Sequence, residues 1–171
     1  MKKKPIIIAL VGASGSGKTT LSLYLQDKLA IPAVCSYTTR PMRPGEVNGR
    51  EHWFVTEAEY ERMAAAESLL AYTKFGGYHY WTLESQVAQN LITTYVIDEK
   101  GLIELKNKWG EKYEVFSIYI TRPNTDDIDQ HRRDRDNERV QFDDYDVALI
   151  NDRDLNTFLR YAITTIAKYL Q

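Results

Sequence analysis

The sequence predicts an α/β fold of three layers, with a central parallel sheet between helices, and three observations predict it. Short apolar runs rich in Val, Ile and Tyr alternate with helical patterns along the chain. The first run flows through a glycine-rich turn into a helix, the strand–loop–helix order of a phosphate-binding unit. The alternation is then interrupted between Arg40 and Trp81 by Pro41, Pro44, Gly45, Gly49, Gly76 and Gly77, which marks an inserted piece with its own short extended segments.

In chain order, residues 5–11 form the first expected strand. Lys2 to Lys4 followed by Ile6 superficially resemble a secretory leader, but the apolar run is short and leads into the phosphate loop, so a buried strand explains it better. A helix follows over residues 18–29, with Leu21, Leu25 and Leu29 on one face. Residues 33–37, 93–97, 115–120 and 147–150 are the remaining expected strands of the sheet, and residues 83–90, 102–109 and 155–170 its remaining helices. Inside the insertion, residues 52–55 and 70–75 read as extended and 57–66 as helical, giving a mostly antiparallel subdomain.

Composition narrows the class. A chain of 171 residues with 43% hydrophobic content suits one globular domain with a core. A net charge of -2, with acids and bases interspersed, offers no field for a nucleic acid polymer. No stretch is long and apolar enough to span a membrane. Cys35 is the only cysteine, so an intrachain disulfide is impossible and a reducing compartment, the cytoplasm, is expected. Neither Cys35 nor His52, His79 and His131 show metal-ligand spacing.

Gly12-Ala13-Ser14-Gly15-Ser16-Gly17-Lys18-Thr19 carries the complete Walker A spacing. Its glycines let successive N–H groups turn inward onto phosphate oxygens, and the following helix offers its positive end to the same anion. Lys18 is then the cation for the β- and γ-phosphates of ATP and Thr19 the hydroxyl for Mg²⁺. A guanine-specific GTPase is disfavoured, because the nearest candidate signature, Asn107-Lys108-Trp109-Gly110, lacks the required acid. Downstream, Arg40 and Arg43 stand three apart among prolines, a spacing that suits a clamp on a dianionic phosphate, with two solvated loop arginines as the bland alternative. Asp98 ends an apolar run and is read either as the carboxylate that organises Mg²⁺ through water or as a helix cap.

Beyond the phosphate loop, Ser36-Tyr37-Thr38-Thr39-Arg40-Pro41-Met42-Arg43-Pro44-Gly45-Glu46-Val47-Asn48-Gly49, Phe54-Val55, the run Phe75 to Tyr80, Asp98 with Gly101, and Ile150-Asn151-Asp152 together closely resemble the guanylate kinase family. The resemblance implies a three-layer P-loop kinase fold and ATP-dependent phosphorylation of a nucleoside monophosphate, GMP being the family's usual acceptor. It divides the chain into a core (1–35, 82–128 and 140–171), an NMP-binding subdomain (36–81) and a short lid (about 129–139). By the same resemblance Arg40, Arg43 and Tyr80 hold the acceptor phosphate, and Ser36, Thr82 and Asp98 lie near its base or sugar; His52 stands where the family has a tyrosine and can still donate to that phosphate. Asn151 takes the position near the adenine, with a turn residue as the alternative, and Thr20 lies where members of the family contact phosphate or pack the helix start. Arg132, Arg135 and Arg139 are the lid arginines, against a plainly solvated charged loop.

Four positions depart from the family pattern: His52 replaces a phosphate-contacting tyrosine, Ala71 a guanine-reading glutamate, Val96 an acid and Trp81 a glycine. His131 replaces the first lid arginine, with Arg132 beside it. The departures bear on the acceptor rather than on phosphoryl transfer, so another nucleotide or a sugar phosphate is one competing acceptor. A non-catalytic scaffold for phosphorylated peptides is the other reading, which the intact Gly17-Lys18-Thr19 opposes. Trp53, Trp81 and the tyrosines from Tyr72 to Tyr80 either stack a base or fill the subdomain core. A monomer or a homodimer is expected.

Overall fold

The structure is a computed structural model that describes residues 3–123 and 144–171. Its first sheet has five strands in the order β2-β7-β1-β8-β9, all pairings parallel. These strands are β1 (Ile6–Val11), β2 (Ala33–Val34), β7 (Ile92–Val96), β8 (Glu114–Thr121) and β9 (Val147–Ile150). The central position of β1 explains its unbroken apolar sequence, because both of its faces are covered. Ile8 and Leu10 point into one core with Leu21, Leu25, Phe116, Ile118, Phe158 and Ile166. Ile7, Ala9 and Val11 point into the other with Tyr95, Leu102, Leu105 and Tyr113. That alternation is the two-residue period of a strand.

Helices α1 (Lys18–Leu29) and α5 (Leu155–Tyr169) cover the first face, and α3 (Glu84–Ala88) and α4 (Glu99–Trp109) lie on the second. The α5 residues Phe158, Leu159, Ala162 and Ile166 recur at helical spacing and are all buried. Asp154 caps the helix by accepting from the Thr157 N–H at 3.1 Å. Among the described residues, no helix is long and apolar enough to cross a membrane.

The insertion builds a second sheet, β4-β3-β6-β5, from β3 (Tyr37–Thr38), β4 (Trp53–Phe54), β5 (Leu69–Phe75) and β6 (Tyr78–Leu83). Two of its pairings are antiparallel and β3–β4 is parallel. Gly76 and Gly77, with φ of 58° and 85°, make the tight turn that joins β5 to β6. Helix α2 (Glu57–Ala66) opens on a reciprocal cap in which Thr56 Oγ1 accepts from Glu59 N–H and the Glu59 carboxylate from Thr56 N–H.

Two expectations change. The run over residues 33–37 is not one strand: β2 pairs with β7, the chain then leaves the first sheet at Cys35–Ser36, and β3 pairs in the second. Apolar content alone cannot show that break, since both pieces are half-buried sheet. The helix expected from residue 102 begins three residues earlier, because the Asp98 carboxylate accepts from Gly101 N–H and starts it at Glu99.

Candidate active site

The carboxyl ends of the parallel strands converge on the phosphate loop. Leu10 stands opposite Val96, Val11 opposite Tyr119, and Thr121 opposite Ile150, so Gly12, Asp98, Arg122 and Asn151 all leave the same edge of the sheet. The loop's shape rests on glycine. Gly12 adopts φ 146°, and a Cβ there would meet the Ile120 carbonyl at 2.1 Å. Gly17 adopts φ 107°, and its Cβ would stand 2.8 Å from the Asn151 amide.

Gly17 is also the N-cap of α1, with no side chain capping it and no acid in the first turn. The first N–H groups of α1 therefore face the loop with the positive end of the helix dipole behind them. Lys18 curls back, donating to the carbonyls of Gly12 at 2.5 Å and Ala13 at 2.7 Å. Thr19 and Thr20 are exposed on the first turn, whereas Ser16 is buried and its Oγ has no hydrogen-bond partner among the described residues. Ala13, Ser14 and Gly15 form the loop's outer bend, and the Arg122 guanidinium reaches the Gly15 carbonyl at 3.5 Å. Asn151 donates from Nδ2 to the Ser16 carbonyl at 2.9 Å, so in this structure it braces the loop.

Asp98 is exposed just past β7 and serves both sheets. Its Oδ1 accepts from Gly101 N–H at 2.6 Å, and its Oδ2 accepts from Thr73 Oγ1 of β5 at 3.4 Å. Thr73 in turn stands opposite Tyr80 across the β5–β6 ladder. A hydrogen bond thus joins the edge that carries the phosphate loop to the strand pair that carries Tyr80.

The two arginines of the motif differ. Arg40 is only 8% exposed, and its guanidinium grips the Glu46 carboxylate through two bonds, Nη1 to Oε2 at 3.0 Å and Nη2 to Oε1 at 2.9 Å. Nη1 also donates to the Pro41 carbonyl at 2.8 Å, and the group lies 5.3 Å over the Phe54 ring. Burial, the largest influence, opposes the Arg40 charge, but Glu46 and the Tyr80 phenol more than offset it and raise its pKa. Burial likewise pushes Glu46 up, yet Arg40 and the Arg43 N–H, which donates at 2.7 Å, hold it below the usual carboxylate value. The Arg43 side chain is exposed.

His52 Nδ1 and Ser36 Oγ share a hydrogen bond of 2.7 Å. The imidazole meets Phe54 and Tyr80 edge-on, with centroids 5.8 Å and 5.9 Å away. Burial first, then the Arg40 charge, keeps His52 below the ordinary histidine range, so the ring is neutral at pH 7. Ser36, Arg40, His52 and Tyr80 are therefore drawn together as the sequence implies. Thr82, two residues along β6 from Tyr80 and so on the same face, is 0% exposed and donates its hydroxyl to Gln86 Oε1.

Trp81 is 0% exposed, stacked on Tyr37 at 5.5 Å and edge-on to Tyr60 at 5.0 Å, which makes it subdomain core and leaves no ring face for a base. Ala71 is 3% exposed at φ 54°, where the β5–β6 register shifts between Leu70 and Thr73. Glu46, Thr73 and Arg122 are polar groups at this site that pattern reading passed over. Glu46 lies inside the motif around the arginines, but neither Thr73 nor Arg122 carries a local signal. Arg132, Arg135 and Arg139, with His131, lie outside the described residues.

The family model described as guanylate kinase matches residues 2–154. The guanylate kinase of Blochmanniella floridana is 32% identical over 97% of this chain and 88% of its own length. That of Protochlamydia amoebophila is 34% identical over 81% of this chain and 71% of its own. The crystal structure of guanylate kinase from Anaplasma phagocytophilum superposes with a TM-score of 0.71, covering 100% of this chain and 90% of that one, and at 23% identity it speaks for the fold. On the family model and these relatives, this chain belongs to the guanylate kinase family.

Proposed function

We propose that the chain transfers the γ-phosphoryl group of ATP to GMP, yielding ADP and GDP, in the cytoplasm. The observation that carries this reading is the loop from Gly12 to Thr19 at the carboxyl edge of the parallel sheet, where Gly12 and Gly17 leave no room for a side chain and the start of α1 carries no side-chain cap. In the proposal Gly12 to Thr20 cradle the ATP phosphates through backbone N–H groups. Lys18 turns from the Gly12 and Ala13 carbonyls onto the β- and γ-oxygens, and Asn151 keeps the loop in shape. Arg40, Arg43 and Tyr80 hold the acceptor phosphate, with neutral His52 as a hydrogen-bond donor and Ser36 beside it.

Transfer then depends on alignment and charge neutralisation rather than covalent chemistry by the protein. A nucleotide phosphate is already an anion near neutral pH, so the site needs no strong general base. Mg²⁺ fits the donors present: the exposed Thr19 hydroxyl and the exposed Asp98 carboxylate, acting through water, suit a hard cation whose other ligands are phosphate oxygens and water. When bound, the ion neutralises charge on the transferring phosphoryl group. Arg132, Arg135 and Arg139 remain in the proposal on sequence grounds, as cations that neutralise charge over the transferring group.

The test is ATP consumption with Mg²⁺ against GMP, dGMP, AMP, CMP, UMP and an acceptor-free control, alongside Lys18→Ala. Turnover selective for GMP and lost in the variant is expected. Turnover of a different nucleotide keeps the chemistry and moves the acceptor, whereas ATP binding without turnover of any acceptor refutes the proposal.

A further inference from the structure

The chain crosses between the two sheets at two places, Cys35–Ser36 on the way in and Leu83 on the way out. Both crossings are held by one side chain. Gln86 Nε2 donates to the Cys35 carbonyl at 2.9 Å, while Gln86 Oε1 accepts from Leu83 N–H at 3.0 Å and from the Thr82 hydroxyl. The orientation of the amide is set by its partners, since a backbone N–H can only donate and a backbone carbonyl can only accept. Around it, Glu67 Oε1 accepts from Ser85 N–H at 2.7 Å, tying the same corner to the start of β5.

We infer that Gln86 is a positioning residue for phosphoryl transfer, a staple that sets the angle of the acceptor sheet relative to the phosphate-loop sheet. The inference rests on the acceptor reading given above. ATP binds on the first sheet and the acceptor phosphate on the second, so the attack distance depends on how the two are joined. Gln86 grips both covalent connections and flanks both Ser36 and Thr82. The plainer role for the residue is local: it stands at the third position of α3, where a Gln or Glu side chain caps the helix start.

Gln86→Glu separates the two roles. A carboxylate still accepts from Leu83 N–H and Thr82, so the cap survives, but it cannot donate to the Cys35 carbonyl and faces that oxygen with like charge. The staple reading expects the KM for GMP to rise about tenfold, the scale of one buried hydrogen bond replaced by a clash, with ATP affinity unchanged. Gln86→Leu, which removes cap and staple together, is expected to show the same KM change with a lower melting temperature.

Cys35 supplies a readout independent of the substrate. Its thiol is the only one in the chain, is half-buried, and sits at the crossing, so its alkylation by iodoacetamide should accelerate severalfold in Gln86→Leu, which opens the crossing without adding a charge that would hold the thiol protonated. If the wild-type chain fails to bind GMP, the acceptor reading falls, and the staple is decided by the alkylation rates alone. An unchanged Cys35 rate in Gln86→Leu, or an unchanged KM in Gln86→Glu where wild type turns over GMP, overturns the inference and leaves Gln86 as a cap.

Discussion

Replacing Glu46 by Gln tests the clamp most directly, because it keeps the side chain's shape and removes its charge. In the native chain Arg40 and Glu46 side chains are 9% and 17% accessible, so their two bonds at 3.0 Å and 2.9 Å are little weakened by water. A glutamine turns one oxygen into an N–H facing the guanidinium and leaves the Arg40 charge poorly paired. Losing one charge-assisted bond of this kind costs about 2–3 kcal/mol, or roughly 5–10 °C in melting temperature for a domain of this size. Two effects then compete at the acceptor. Freeing the fork favours phosphate, while losing its support lets a desolvated guanidinium swing to water, and at 8% exposure the second should win. The KM for GMP is expected to rise about tenfold, measured by coupled ADP release with ATP saturating. Glu46 has a depressed pKa when folded, so its stabilisation is complete above the unfolded value of about 4.3 and is lost as pH falls through the lower folded value. Melting curves across that acidic window should therefore converge for wild type and Glu46→Gln. Tighter GMP binding in the variant would falsify the reasoning, for Glu46 would then be a competitor of the phosphate.

Lys18→Ala should abolish turnover while shifting the melting temperature by only a few degrees, since the ammonium bonds loop carbonyls at the surface of the core; activity and scanning calorimetry on one preparation check both. Gly17→Ala places a Cβ 2.8 Å from the Asn151 amide at φ 107°, so the ATP-induced rise in melting temperature should vanish although the chain still folds. His52 has a lowered pKa in the folded chain, so the unfolded chain binds the extra proton first, and stability should decline as pH falls below about 6.5. His52→Gln should flatten that decline below about pH 6.5, as read by chemical denaturation, and an unchanged slope would assign it to other groups. Trp81→Ala should cost about 3–5 kcal/mol, because the indole is fully buried between Tyr37 and Tyr60; denaturation midpoints report it, and a stable variant with a raised acceptor KM would instead make Trp81 a base platform.

Local order along the chain was enough to determine the parallel sheet, the phosphate loop and the arginine motif. An unbroken apolar run such as Ile6–Val11 is stable only as a strand covered on both faces, and Gly12 to Lys18 has the spacing that wraps a phosphate whatever surrounds it. The insertion was visible for a similar reason, since prolines and paired glycines act on their own neighbours. What only the tertiary structure decided depends on pairs far apart in sequence. Whether the residues 33–37 form one strand or two is settled by partners near residues 53, 80 and 94. Whether Trp81 stacks a base or fills a core turns on which face of β6 meets α2. A strand presents its side chains alternately to two faces, and only the register of its neighbours assigns one face to the site and the other to the interior.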